Sequence, residues 1–169
     1  MRLIPVVITT AGLTVAAPAF AADLSVSVEI PRLNTASYHR PYVAVWIEKP
    51  DQSAERTLAV WYQQTRNNEG DGKDWLKDLR TWWRKGGRAM SLPADGVSGA
   101  TRAPGRQTIT VPAARLNGLQ PGQYNLVVEA ARELGGREVV RVPFRWGAAN
   151  TSAGTGSTEL GAVRVAVTR

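Results

Sequence analysis

The residues best suited to chemistry lie between Asp95 and Thr101, in the sequence DGVSGAT. Thr101 supplies a hydroxyl, which can be esterified if the loop is exposed. Gly99 has no side chain and Ala100 has a minimal one, so another protein's active site can close over this backbone. Ser98 adds a local hydrogen-bonding hydroxyl. The same composition is also typical of an ordinary exposed turn, and both interpretations stay open at this point.

The segment resembles the covalent flavinylation motif of extracytoplasmic electron-transfer proteins, Asp-x-x-Ser-Gly-Ala-Thr. The resemblance implies that an FMN transferase esterifies the Thr101 hydroxyl to the phosphate of FMN. Under this interpretation Asp95 orients the loop or meets the metal of the transferase. The phosphodiester keeps one negative charge, and Arg102 and Arg106 are close enough in sequence to make charge-assisted contacts with it.

Aromatic residues near the motif are candidates for contact with the flavin. The indoles of Trp75, Trp82 and Trp83 can stack on the flat isoalloxazine ring, which stabilises the contact by about 1 kcal/mol. The alternative is a small satellite core under the loop. His39, the single histidine, is a candidate hydrogen-bond donor to reduced flavin or a proton relay near neutral pH, with a structural role at a strand edge as the alternative.

The composition excludes several enzyme classes. With one histidine and no cysteine, the chain has no His-Glu-x-x-His or two-histidine metal site, no zinc ribbon and no iron–sulfur cluster. It also lacks Gly-x-Ser-x-Gly, Gly-x-Gly-x-x-Gly and P-loop motifs. We therefore predict no catalytic residues and no metal site.

The N-terminus has the pattern of a secretory signal peptide. Arg2 precedes an apolar stretch over residues 3–17, and Ala19-Phe20-Ala21 is an A-x-A cleavage site. The apolar stretch is too short for a membrane span, so no transmembrane segment is predicted. Cleavage after residue 21 leaves residues 22–169, a length that suits a single domain exported to the periplasm.

The formal net charge of the chain is +7. An exported protein rarely meets nucleic acid, so we predict no nucleic-acid partner. The basic surplus instead fits an anionic cofactor, an acidic partner protein or the outer-membrane surface. A solvated basic face is the alternative.

Alternating apolar and polar residues predict an all-β fold, an immunoglobulin-like antiparallel β-sandwich of about seven strands. The apolar run 42–48 is expected in the centre, between two layers, and Gly135-Gly136 predicts a hairpin turn. Segment 147–158 is predicted to be a flexible connection. The predicted strands are 24–30, 42–48, 58–62, 107–111, 124–131, 137–144 and 159–167.

The β pattern is interrupted by a Trp-rich insertion at about 63–105. Within it we predict a helix over 75–85, capped by Asp74, with Leu76, Leu79 and Trp83 on one face. So long a loop in a compact domain commonly carries function. Outside the insertion, Glu129 is a charge on an apolar strand and is predicted to pair with one of three arginines, Arg40, Arg80 or Arg132.

Several segments together resemble the domain of unknown function 2271 family of predicted periplasmic bacterial proteins. The resemblance implies residence beside flavin transferases and membrane-anchored electron-transfer proteins, often in settings linked to iron uptake. It implies no assayed activity. The matching segments are 39–48, 57–61, 73–83, 95–102 with Pro104, 121–124 and 128–133.

The sequence thus predicts a periplasmic electron carrier rather than an enzyme. FMN attached to Thr101 would carry electrons between membrane and periplasmic partners, while the protein tethers the flavin and tunes its potential. The alternative is a non-redox sandwich module, associated with metal uptake, that binds a ligand or a protein through its Trp-rich insertion.

Overall fold

The computed structural model describes residues 23–66, 68 and 70–168, which form two β-sheets packed face to face. The predicted signal peptide lies outside the described residues. The four-stranded sheet has the order β5-β1-β9-β8, and the five-stranded sheet has the order β4-β3-β2-β6-β7. The predicted all-β sandwich is therefore confirmed. The strands are β1 (Leu24–Ile30), β2 (Tyr42–Glu48), β3 (Ala54–Trp61), β4 (Ser98–Gly99), β5 (Gly105–Val111), β6 (Gly122–Ala131), β7 (Arg137–Trp146), β8 (Asn150–Thr155) and β9 (Ala162–Val167).

Strands β4 and β8 are absent from the sequence prediction. The prediction of a flexible connection over 147–158 was wrong, because β8 pairs with β9 from Asn150 to Thr155. The Asn150 side chain also bonds to the carbonyl of Arg145, with Nδ2 2.6 Å from that oxygen. β8 is an edge strand of small and polar residues, so it carries no apolar alternation that a sequence pattern could detect.

Strand β9 begins at Ala162, three residues later than expected. The preceding residues form a loop around the carboxylate of Glu138, which accepts hydrogen bonds from the backbone N–H groups of residues 157–160 at 2.7 to 3.1 Å. A side chain distant in sequence thus satisfies amides that would otherwise have joined the β-ladder.

The main core lies between the sheets and follows the period-two pattern of the strands. Alternate residues of β1 point inward, and Leu24, Val26 and Val28 are fully buried. β2 lies between β3 and β6 and is buried on both faces, so its predicted central position is confirmed.

A second core covers the outer face of the five-stranded sheet. Trp46, Val60 and Val127 of the sheet pack against Leu76 and Trp82 of the insertion, together with neighbouring apolar residues. The insertion is therefore a packed layer on this face of the sheet. Its packing holds in place the chain segment that leads to Asp95, the first residue of the motif.

The insertion contains a 3-10 helix at Gly72–Asp78, helix α1 at Arg80–Lys85 and a 3-10 turn at Gly87–Ala89. The predicted continuous helix over 75–85 with an Asp74 cap was wrong. Asp71 caps the 3-10 helix by accepting a hydrogen bond from the Lys73 amide at 3.0 Å, and the helical path breaks at Leu79. A further 3-10 turn lies at Ala113–Leu116, after β5.

The buried face agrees with the prediction at Leu76 and Leu79, which are buried, and differs from it at the tryptophans. Trp82 is buried at 2 % exposure, whereas Trp83 is only partly buried. A Cβ on Gly87 would lie 2.6 Å from the Trp82 ring, so glycine is required where the chain passes over the indole.

None of the helices in the described ranges is long and apolar enough to span a membrane.

Candidate functional site

Strand directions bring several chain segments to one end of the five-stranded sheet. β2 and β7 begin there, and their antiparallel neighbours β3 and β6 end there. β4 runs parallel to β3, so it also ends on this side, two residues before Thr101. The β6–β7 hairpin turns at residues 132–136, and the predicted turn at Gly135-Gly136 is confirmed.

These segments enclose a cleft of about 970 Å³. This volume is at the upper end of the range of clefts that hold cofactors and small ligands, roughly 300–1,000 Å³. The lining combines aromatic rings, arginines and one threonine. The lining residues are Tyr38, His39, Arg40, Tyr42, Gln63, Trp75, Asp78, Arg80, Thr101, Ala131, Arg132, Glu133, Leu134, Gly135, Gly136 and Arg137.

Three of the residues predicted to meet the cofactor line this cleft: Thr101, Trp75 and His39. Thr101 is half-buried, and within the described chain its hydroxyl makes no hydrogen bond and is not among the buried, unpartnered polar atoms. The hydroxyl is therefore not fully buried, and it belongs to a residue that lines the cleft. Trp75 is 46 % exposed, although large apolar side chains are usually covered.

The rest of the motif builds the turn that presents Thr101. Ser98 Oγ accepts a hydrogen bond from the Ala94 amide at 3.0 Å, and the Gly99 carbonyl accepts one from the Tyr62 amide at 2.9 Å. A Cβ on Gly99 would lie 3.1 Å from Cδ1 of Trp61, so this glycine allows close packing on that ring. Gly99 and Ser98 thus have structural roles in this turn.

Asp95, Ala100 and Arg102 are exposed and lie outside the cleft lining. The Arg102 guanidinium lies over the Trp61 ring, 5.3 Å from its centroid. Trp61 is also the ring on which Gly99 packs. Arg106 lies on β5 opposite Glu29 and is also outside the lining.

Arg115 stabilises the motif by hydrogen bonds to backbone carbonyls, and no sequence pattern indicated this role. Its Nη1 donates to the Gly96 carbonyl at 2.6 Å and its Nη2 to the Leu58 carbonyl at 3.0 Å. Burial, and secondarily the nearby charge of Arg56, lowers the pKa of Arg115. Gly96 has a φ of +67°, a conformation that glycine adopts without strain.

Trp82 and Trp83 belong to the second core, outside the cleft lining. Trp82 Nε1 donates to Thr57 Oγ1 at 3.0 Å, which satisfies its polar atom inside the protein. Of the three candidate indoles, Trp75 is therefore the one available to a ligand in the cleft.

Arginines dominate the charge of the cleft. Arg40 and Arg80 are exposed, and across residues 23–66, 68 and 70–168 their side chains have neither a hydrogen bond nor an ion pair. Arg132 makes two bonds to Glu159, at 2.8 and 3.0 Å. This hydrogen bonding raises the pKa of Arg132, so it stays a fixed cation, while Arg40 and Arg80 remain available to an anion.

Two buried polar atoms at the cleft lack partners, and sequence patterns did not reveal them. These are the Tyr38 hydroxyl and Nη1 of Arg132, the buried polar side-chain atoms without a hydrogen bond in the described part of the chain. The Arg132 guanidinium lies 6.0 Å from the centroid of the Tyr38 ring. Burial raises the pKa of Tyr38, so its hydroxyl stays protonated at neutral pH.

His39 lies on the loop before β2, at the edge of the cleft. Its Nδ1 is 3.3 Å from Oε2 of Glu133, and its Nε2 is 3.1 Å from the Ser37 hydroxyl. Both ring nitrogens thus have neighbours within the protein. Among the described residues no group of three or more His, Cys, Asp or Glu side chains could hold a metal ion.

The partner predicted for Glu129 was wrong. Glu129 is fully buried and pairs with Arg137, whose Nη1 is 2.7 Å from Oε1. Its carboxylate also accepts from the amides of Thr81 at 3.0 Å and Trp82 at 2.8 Å, at the start of α1. Glu129 lies on the outer face of β6, so it meets the insertion there.

Glu48 holds the other end of α1. It is fully buried on the outer face of β2, and its Oε1 is 2.7 Å from Nζ of Lys85. Arg141 lies 3.3 Å from Oε2, and Trp46 Nε1 donates to Oε1 at 3.0 Å. Two buried carboxylates therefore fix the insertion, and with it the Trp75 wall of the cleft.

Comparison with known proteins gives a match at the level of a family. No curated protein and no solved structure matches the chain significantly. The model of the family described as predicted periplasmic protein (DUF2271) matches residues 23–162. The match includes the motif turn, the Trp-rich insertion and all residues that line the cleft. The chain belongs to this family of predicted periplasmic proteins, the DUF2271 family.

Proposed function

We propose that this protein is a periplasmic electron carrier with FMN attached by a phosphodiester to Thr101. The observation that carries the proposal is the Thr101 hydroxyl, which has no hydrogen bond within the described chain and is not fully buried, on a residue that lines a cleft with an exposed indole and the unpaired Arg40 and Arg80. A flavin phosphate has the matching chemistry, since it joins a flat ring to an anion.

Attachment requires an accessible nucleophile and a flavin phosphate with a leaving group. Thr101 Oγ1 attacks the phosphorus, and the Oγ–P bond forms as the bond to the leaving group breaks. If the donor is FAD, the leaving group is AMP, and the hydroxyl proton passes to a base of the FMN transferase. The new phosphodiester keeps one negative charge, which Arg40 and Arg80 of the same cleft can neutralise.

The flavin supplies the redox chemistry, taking electrons from a membrane-anchored donor and giving them to a periplasmic acceptor. The chain contributes the tether, partial exclusion of water and fixed positive charge. Arg132, held by Glu159 at 2.8 and 3.0 Å, contributes a cation whose position does not depend on the ligand.

A second candidate function is a non-redox module that binds a partner protein. In the described ranges Trp75 and Leu134 are the exposed large apolar side chains, at 46 % and 82 % exposure, and both line the cleft. Exposed apolar groups beside a charged cleft are also typical of protein-binding surfaces.

Intact mass after co-expression with an active FMN transferase distinguishes the two functions. The carrier gains one FMN less one water. Thr101→Val, which keeps the shape but removes the hydroxyl, abolishes the gain, and Thr101→Ser retains it. Thr108→Val, a change at an exposed threonine of β5, serves as the matched control and leaves the gain intact. An unmodified wild-type chain beside an active transferase contradicts the carrier and favours the binding module.

A further inference from the structure

We infer that the flavin ring docks in the cleft beside Thr101, against the indole of Trp75, and is not a freely moving group in solvent. We further infer that the buried wall formed by Tyr38 and Arg132 binds the polar edge of the ring. This inference rests on the proposed attachment at Thr101 and concerns where the ring lies once attached.

The position of the tether makes docking possible. Thr101 is itself part of the cleft lining, so a group linked to its hydroxyl begins inside the cleft. The volume of about 970 Å³ accommodates a cofactor-sized molecule.

The indole supplies the apolar surface for the ring. Trp75 is exposed, and Lys77 Nζ lies 5.4 Å from its ring centroid. Trp75 lines the cleft, but Lys77 does not, so this contact of the indole with Lys77 involves a residue outside the cleft lining. Stacking on a planar, electron-poor ring covers surface that water otherwise contacts, and offset stacking of two aromatic systems is favourable.

The unpartnered polar atoms of Tyr38 and Arg132 indicate where the carbonyl edge of the flavin ring would lie. The Arg132 side chain is 7 % exposed and is anchored by Glu159, yet its Nη1 has no acceptor among the described residues. The Tyr38 hydroxyl is also unpartnered. Buried donors without acceptors are unfavourable, and a flavin offers two carbonyl oxygens and ring nitrogens as acceptors.

Access to this wall requires a small movement of the protein. Both unpartnered atoms are covered by neighbouring atoms, and the Tyr38 ring packs against the Arg132 guanidinium at 6.0 Å. Tyr38 lies in the segment between β1 and β2, which is outside the regular strands. The Tyr38 ring can therefore move without breaking the sheet, and the inference requires that this movement opens the wall to the flavin.

The test uses the flavinylated protein, with attachment first established by mass. A docked ring shows quenched flavin fluorescence, because the indole lies close to it, and an anisotropy set by tumbling of the whole protein. Trp75→Leu raises the ratio of undocked to docked flavin about fivefold, the change expected from the loss of one stacking contact. Trp83→Leu, in the second core and outside the cleft lining, leaves fluorescence and anisotropy unchanged.

A second variant separates ligand binding from structure. Tyr38→Phe removes a buried hydroxyl that has no partner in the described chain, so it does not lower the melting temperature of the unmodified protein, yet it raises the ratio of undocked to docked flavin about fivefold. An unchanged docked fraction in Tyr38→Phe contradicts the role of this wall. Low anisotropy in a wild-type protein that carries FMN overturns docking and leaves the proposed carrier intact. A chain that never gains FMN overturns the proposed function itself.

Discussion

The two faces of the five-stranded sheet are stabilised in different ways. The inner face packs on the four-stranded sheet through a cluster of aliphatic and aromatic side chains, such as Val45, Leu126 and Val128. The outer face packs on the Trp-rich insertion through apolar side chains and two fully buried carboxylates, Glu48 and Glu129.

The difference explains how the cleft is positioned. Apolar burial is non-directional, so it holds layers together without fixing their exact alignment. Hydrogen bonds to a buried carboxylate are directional and costly to break. Glu129 holds the start of α1 and Glu48 holds Lys85 at its end, and we infer that these contacts fix the position of the insertion relative to the sheet. The inner face provides stability, and the outer face provides stability and placement.

Loss of the Glu129 carboxylate is expected to have the largest effect. Glu129→Gln keeps the side-chain shape but leaves Arg137 unpaired and cannot accept from both α1 amides. We expect the free energy of unfolding to fall by about 3 kcal/mol, at the low end for a broken buried pair because Arg137 is 37 % exposed. Urea denaturation at neutral pH measures the loss.

Two controls relate this loss to the comparison between the faces. Asp95→Asn, at an exposed carboxylate with no ion pair in the described chain, leaves stability unchanged. Val128→Ala weakens the inner face, so it lowers overall stability without selectively opening α1. Hydrogen exchange at the Thr81 and Trp82 amides should accelerate more in Glu129→Gln than overall stability accounts for. Equal acceleration in Val128→Ala would contradict the proposed placement role of the outer face.

The second largest effect concerns a carboxylate at the rim of the sandwich. Burial alone raises the pKa of Glu138, but hydrogen bonds from the backbone of residues 157, 160 and 158 and from the Ser157 hydroxyl outweigh it and lower the pKa from 4.5 to about 2. The folded-state pKa lies below the unfolded value, so the stabilisation is complete above about pH 4.5 and disappears as the pH falls towards 2.

Glu138→Gln should therefore be less stable than the wild type by roughly 2 kcal/mol at neutral pH, after allowance for solvent screening. The difference should shrink between about pH 4.5 and 2, where the wild-type carboxyl becomes protonated. Urea unfolding at a series of pH values measures both stabilities. A difference that stays constant through this range would mean that the loop before β9 does not depend on the charge of Glu138.

The core between the two sheets was largely predictable from sequence, because most of the strands that enclose it show their buried residues in their own apolar pattern. Alternation in β1 identifies its buried residues directly, and the almost continuous apolar run of β2 correctly places it in the centre of the sheet. Edge strand β8 escaped prediction because its residues are small and half-exposed, and its pairing depends on β9 rather than on its own composition.

The outer face was only partly predictable, because its contacts join residues far apart in the chain. The sequence indicated an insertion with Trp75 and Thr101, and both line the cleft. The partners of Glu129 depend on where α1 lies over β6, which no local pattern encodes. The unpartnered atoms of Tyr38 and Arg132 are likewise visible only in three dimensions, since a missing hydrogen bond leaves no trace in sequence.

The smallest expected effect is the loss of one ion-pair partner of Glu48. Its size tells whether the burial of this carboxylate, rather than ion pairing as such, fixes the insertion. Lys85→Met removes one partner of Glu48 but leaves Arg141 and Trp46 Nε1 in contact with it, so we expect the free energy of unfolding to fall by about 1 kcal/mol.

The control is Lys49→Met. It removes the lysine of an ion pair of similar length, 2.9 Å to Glu55, whose members are both partly exposed. Water replaces that lysine, and stability should not change measurably. Thermal unfolding of the two variants side by side gives the answer. Equal losses would mean that Glu48 holds the end of α1 no more firmly than a surface pair does, and the position of that end would then depend on apolar packing.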